Sequence, residues 1–165
     1  MRDEDFLLLK NLFFNLRISD KEEEHFKSLW CTKSFKQYDL ITEAGSIERN
    51  FYLVLEGVQA IYVLNEKGEK VVLGFSYTGS PSGVFDSFVS GEPSKIFLEA
   101  LKPSRLLAIS KSDYLDLFKN DPSFYQWGHH FFQEVLFGRL SREVELLTLT
   151  AEQRYISFMQ RCPDE

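Results

Sequence analysis

Phe51-Tyr52-Leu53-Val54-Leu55-Glu56-Gly57 runs straight into Val58-Gln59-Ala60-Ile61-Tyr62-Val63, and Asn65-Glu66-Lys67-Gly68 then leads to Lys70-Val71-Val72-Leu73-Gly74-Phe75. Short runs of β-branched and aromatic residues, each closed by a turn with glycine, predict antiparallel strands joined by hairpins. Upstream, Leu40-Ile41-Thr42 stops at Glu43-Ala44-Gly45-Ser46, where Gly45 can take a positive φ. Downstream, strands are predicted over 96–101 and 106–110, linked by Lys102-Pro103-Ser104, while 77–93 shows little periodicity. Closely spaced short strands argue for a sandwich or barrel, mainly β with flanking helices, rather than a parallel α/β sheet.

Helices flank this block. Phe6, Leu9, Phe13 and Leu16 recur every three to four residues, and residues 4–30 read as helical. Ser19-Asp20-Lys21-Glu22 has the spacing of a capping box and opens a second helix carrying Phe26, Leu29 and Trp30. After the strands, Ser110 or Ser112 can cap a short helix over 113–119, and Asp121-Pro122 restarts the chain as N-cap and first helical residue. The helix over 122–147 spans roughly 40 Å at ~1.5 Å per residue, longer than a domain of this size requires. Its apolar residues, including Phe124, Trp127, Phe131, Phe132, Val135, Leu136, Phe137, Leu140, Val144 and Leu147, exceed one stripe. Such a helix is expected to be buried on two sides, one against its own β-domain and the other against its copy in a homodimer. The alternative is a central helix in a larger monomer. Phe131, Val135 and Arg142 follow a roughly 3.5-residue repeat, with Gly138 letting backbones approach, and form the expected dimer interface. Thr150 is a plausible cap for a last helix bearing Tyr155, Ile156, Phe158 and Met159.

Composition restricts function. The 165 residues carry a formal net charge of −6, from 19 Lys plus Arg against 25 Asp plus Glu, a sign that repels nucleic acid. Glu22-Glu23-Glu24 reads as a solvated helix face. Cys31 and Cys162 fit neither a disulfide framework nor a zinc site, and an iron-sulfur cluster would need more thiols. His129 and His130 are adjacent on a helix, about 100° apart, and do not readily grip one metal ion. No histidine falls in the strand region 32–110, which argues against a metal-dependent jelly-roll enzyme. With no nucleophile beside a His, no phosphate-binding loop and no dinucleotide fingerprint, the chain is read as not an enzyme, with no cofactor and no metal. The acidic N-terminus and the lack of a long apolar run predict a cytoplasmic protein that does not engage membranes.

Together these pieces resemble the cyclic-nucleotide-binding superfamily, and specifically the Crp/Fnr-type transcription regulators. The resemblance rests on Gly45 in its turn, on Phe51-Tyr52-Leu53-Val54-Leu55-Glu56-Gly57, and on Arg105-Leu106-Leu107-Ala108-Ile109-Ser110 with the helix at Asp113. Leu149-Thr150-Ala151-Glu152-Gln153-Arg154-Tyr155 is similar to the family's hinge into a DNA-binding helix-turn-helix. The resemblance implies a double-stranded β-helix, or jelly roll, in a sensor region over 1–120. A long dimerisation helix over 121–148 and the start of a truncated helix-turn-helix domain over 149–165 would follow.

It also implies where a ligand would sit. Members that bind cyclic AMP use a Gly-Glu pair and a later Arg-Ser/Thr pair, the acid for the ribose 2′-OH and the guanidinium for the phosphate. Gly83 fits the glycine, but Val84 stands for the acid, and the second pair falls on Ser94 and Lys95. Lys95 is one residue out of place, which in a strand points to the opposite face. The base would meet Phe137 and Gly138. The resemblance therefore implies an effector-sensing, dimerising domain that does not bind cyclic AMP in the usual way and reaches DNA only through a C-terminal domain absent here. An unknown small molecule is its expected effector. A stand-alone regulatory domain and a ligand-free dimerisation module remain the other readings.

Overall fold

The computed structural model describes residues 1–13, 20–120 and 122–161. They form two compact units, residues 1–117 and 118–165. The first opens with helices α1 (Asp3–Leu12) and α2 (Asp20–Ser28). Strands β1 (Trp30–Phe35), β2 (Leu40–Thr42), β3 (Asn50–Glu56), β4 (Val58–Leu64), β5 (Lys70–Tyr77) and β6 (Pro81–Ser82) follow. Helix α3 (Phe85–Ser90), strands β7 (Phe97–Ala100) and β8 (Ser104–Ser110), and helix α4 (Lys111–Asn120) complete the set, with the last turn of α4 in the second unit.

Two antiparallel four-stranded sheets result, ordered β1-β8-β3-β6 and β2-β7-β4-β5, which is a jelly roll. The hairpin at 65–68 closes as its sequence requires, with Asn65 N–H donating to Glu69 O at 3.0 Å and Gly68 N–H to Asn65 O at 2.9 Å. Gly57, between β3 and β4, has φ +96°, and a Cβ there would lie 2.7 Å from Pro103 O. Only glycine meets both demands.

β3 is buried on both faces, which is why its sequence reads as an unbroken apolar run. Tyr52 and Val54 pack with Leu106 and Ala108 on the face turned to the interior, together with Phe35 and Ile41. Phe51 points the other way, into rings of α3 and α4, Tyr114 at 5.4 Å, Phe85 at 5.7 Å and Phe88 at 6.3 Å, and of Trp30 in β1 at 6.3 Å. Burying such a ring contributes ~1.5–3 kcal/mol and well-placed aromatic pairs ~0.5–1.5 kcal/mol more. An exposed pair such as Arg2–Glu4 is worth ~0–1 kcal/mol, so the ring cluster is what seats the helices. α1 is also tied by charge: Arg105 reaches the buried Asp5 at 3.0 Å and pairs with Glu56, which Arg2 meets at 3.2 Å.

Several sequence expectations shift. The second helix closes at Ser28, and Trp30 starts β1, paired with Ile109 and ringed by Phe13, Phe26 and Phe51. Strand pairing captured this residue, because β8 offers it a partner that helical periodicity cannot reveal. The segment of little periodicity, 77–93, holds β6 and α3, whose six residues are too few to establish a period. Leu16, the Ser19 cap, the Asp121 cap and Cys162 lie outside the described residues.

The second unit contains α5 (Pro122–Thr148) and α6 (Ala151–Arg161). Thr150 caps α6 in a full capping box, its Oγ1 accepting from Gln153 N–H while Gln153 Oε1 accepts from Thr150 N–H. Within this unit Trp127 stacks on Phe131 at 5.1 Å and meets Phe118 edge-on at 6.3 Å. Gly128 lets the Phe118 ring lie against the α5 backbone, since a Cβ there would overlap it, whereas a Cβ at Gly138 would meet nothing within 4 Å.

Glycine to alanine in a helix interior gains up to ~1 kcal/mol, and overpacking costs ~1–3 kcal/mol. G128A is therefore expected to lower the melting temperature, and G138A to leave it level or raise it. Thermal melts of both variants check this, and equal behaviour would refute the Phe118 contact.

Candidate functional site

The cassette between β6 and β7 gathers the first group of sequence-selected residues. Gly83, at φ +136°, precedes Val84, which is buried at the start of α3. Ser94 is buried as well, its Oγ accepting from Ile96 N–H and donating to Ile96 O, both at 2.8 Å. The β2–β3 turn clasps the same residue through Gly45 N–H to Ser94 O at 2.7 Å and Ser94 N–H to Ser46 O at 2.8 Å. Gly83, Val84 and Ser94 thus stand in one built loop, while Lys95 beside them is exposed. The Ser94 hydroxyl is engaged with the backbone of its own loop.

Sequence reasoning missed the residue that organises this loop. Glu48 is 2% exposed. Its carboxylate accepts from Asn50 N–H at 3.0 Å and from the Thr42 hydroxyl. Its backbone N–H donates to Ser87 Oγ at 3.0 Å, and Ser87 donates on to Glu92 O at 2.6 Å. Asn50 Nδ2 donates to Tyr52 Oη at 3.2 Å. Burial first, and the neighbouring Glu48 charge second, push the Tyr52 phenol well above its ordinary pKa. An acid in a turn reads as solvated, and nothing in the local sequence marks this one as buried.

Deeper in the barrel lies a second polar group. Gln59 Nε2 donates to Ser104 Oγ at 2.9 Å, Ser76 donates to Gln59 Oε1 at 3.0 Å, and Ser76 meets Ser82 at 2.8 Å. All four side chains are buried, and they link β4 and β5 of one sheet to β6 and β8 of the other. A hydrogen-bonded set of this kind is stable only while each member keeps its partner. The opposite face of β4 and β7 carries Glu99, which accepts from Lys70 at 2.6 Å and Tyr62 at 2.8 Å, with Tyr62 stacked on Phe97.

The other sequence-selected residues lie in the second unit. Phe137 is 58% exposed and Gly138 is exposed. Phe131 is buried, and Val135 and Arg142 are half-buried. At ~100° per residue these share one face of α5 with Phe124 and Trp127. Phe132, Leu136, Leu140, Val144 and Leu147 form an exposed apolar stripe on the opposite side. Among the described residues no three or more His, Cys, Asp or Glu cluster as metal ligands, and no helix is long and apolar enough to cross a membrane.

Two four-stranded antiparallel sheets with a short helix between β6 and β7 make this a jelly-roll domain with an inserted helix. The cyclic nucleotide-binding domain model matches residues 32–121, and the chain belongs to that family. Among solved structures it is similar to the catabolite activator protein of Thermus thermophilus, with 22% identity and a TM-score of 0.67 over 83% of this chain. The chain spans 62% of the length of that structure. The sensor domain of the transcriptional regulator DNR from Pseudomonas aeruginosa matches at 18% identity and a TM-score of 0.65, over 88% of this chain and 93% of its own. FixK2 from Bradyrhizobium japonicum matches at 17% identity and a TM-score of 0.72, over 80% of this chain and 65% of its own. Comparison with curated protein sequences finds no match.

Removing the carboxamide of Gln59 takes one bond from Ser76, which keeps Ser82, and one from Ser104, which keeps Lys102 O, at ~0.5–1.5 kcal/mol per hydrogen bond. Q59L is therefore expected to lose stability by about that amount in a denaturant titration, despite its added apolar surface. A variant as stable as the native chain would show that the network contributes nothing.

Proposed function

We propose that this chain is the effector-sensing and dimerising part of a Crp/Fnr-type transcription regulator, one that answers to something other than a cyclic nucleotide held in the usual way. It acts by binding rather than by catalysis, and its place is the cytoplasm. What supports this reading is the cassette: by the family's pattern Val84 and Ser94 fall where an acid and a guanidinium would meet ribose and phosphate, and Ser94 Oγ is bonded to the backbone of its own loop. Lys95, the neighbouring cation, is exposed. A cyclic phosphate entering this loop would lose hydration and gain no charged partner. The likeness in fold to the sensor domain of the transcriptional regulator DNR supports the assignment to a sensor.

Dimerisation supplies the coupling. The stripe Phe132, Leu136, Leu140, Val144 and Leu147 is exposed in the single chain, Leu147 to 79%. Contiguous apolar surface of this kind marks an interaction face, and a helix meeting its own copy removes it from water at ~25 cal/mol per Å², less the cost of association. The face bearing Phe131, Val135, Gly138 and Arg142 is the other way two such helices could meet. We assign the partner to the exposed stripe because more apolar area remains to be covered there.

Two outcomes check this reading. Cyclic AMP and cyclic GMP at millimolar concentration should give no heat in calorimetry and no shift in melting temperature; micromolar affinity for either would overturn it. In sedimentation equilibrium the native chain should be dimeric at tens of micromolar and L136E/L140E should move toward monomer. Dissociation by V135E/G138E alone would move the interface to the other face, and a monomeric native chain would remove the dimer.

A further inference from the structure

Glu48 has no role in the reading above, yet it is a buried carboxylate set into the cassette. Among the described residues no cation forms an ion pair with it; its carboxylate accepts from Thr42 and from Asn50 N–H and lies beside the Tyr52 hydroxyl. One contact of its own and two of its neighbours tie it to the loop that would receive a ligand. Its backbone donates to Ser87 of α3. The turn that carries it holds Ser94 through Gly45 and Ser46. Its neighbour Tyr52, bonded to Asn50, lies against Gly83, where a Cβ would be 3.7 Å from the ring.

We propose that Glu48 is a specificity-determining residue of the cassette: its buried negative charge excludes anionic ligands, so the effector is a small neutral or cationic molecule. The physical case is one of sign and screening. A charge removed from water acts over several ångströms with little attenuation, and an anion brought beside it is disfavoured in proportion. Glu48 also bears on the lost guanidinium. An arginine at position 94 would be drawn to this carboxylate and neutralised there, leaving less positive charge for a phosphate. Replacing the missing cassette residues is therefore not enough to recover nucleotide binding. The inference rests on the proposed function, because it concerns the ligand class of the same loop.

The test uses cyclic AMP as probe and calorimetry as readout, on chains whose folding is checked by thermal melting. V84E/S94R/K95S supplies the acid and the Arg-Ser pair; the second chain adds E48Q, which keeps the side-chain shape and one acceptor oxygen. We expect the chain with E48Q to bind at least about tenfold more tightly than the one without it. Equal affinities, or no binding by either folded chain, would overturn the role of Glu48 while leaving the reading of the native cassette intact. Micromolar binding by the native chain would instead overturn that reading. If the triple substitution does not fold, S94R with and without E48Q carries the same comparison, and equal affinity or silence in both again overturns the role of Glu48.

Discussion

Everything in the first unit depends on β3 being buried on both of its faces. Its odd and even side chains must each find an apolar partner, and the two demands are met by different layers. Phe51 takes the rings of Trp30, Phe85, Phe88 and Tyr114, which draws α3 and α4 onto one side of the sheet. Tyr52 and Val54 take the inner face, where β8 supplies Leu106 and Ala108 and β2 supplies Ile41. Because β3 and β8 lie at the centre of their sheet, a slip of one residue would exchange the two sets and empty both clusters. That constraint fixes register, and register fixes where the cassette begins.

The interior is unusual for its polarity. Gln59, Ser76, Ser82 and Ser104 form a chain of hydrogen bonds between the sheets, and Glu48 with Thr42, Asn50 and Ser87 forms another at the cassette. Each group is matched within the chain, so neither set demands a ligand for stability. What they change is the chemistry of the space they border. The loop holds an apolar Val84 and a Ser94 hydroxyl bonded to backbone, and Glu48 is tied to its helix through Ser87.

The second unit follows a different rule. α5 carries apolar residues on two opposite faces, and only one of them is covered within the chain. Around Phe118 and Trp127 the packing is so close that Gly128 tolerates no side chain, whereas Gly138 stands in the open. The tight end fits a fixed structural role, and the open stripe fits a surface that meets something else. Thr148 Oγ1 bonded to Val144 O and the Thr150–Gln153 box end one helix and start the next, so the break between α5 and α6 is set by side chains rather than by chance fraying.

By itself the sequence determined the local pieces. Alternation and glycine turns marked β3, β4 and β5 with their hairpin, Ser110 and Thr150 announced their helices, and the run of apolar residues over 122–147 marked one long helix with more than one apolar face. These signals are read within a few residues, where backbone geometry and hydrogen-bond competition act. Only the tertiary structure decided the rest. Trp30 is a strand residue because β8 pairs with it, and α3 exists because its few residues pack Phe88 onto Phe51. Glu48, Gln59 and the serines became a buried network because distant strands brought them together. Which stripe of α5 lies open was decided the same way, since a helical wheel shows both faces as apolar and only packing covers one.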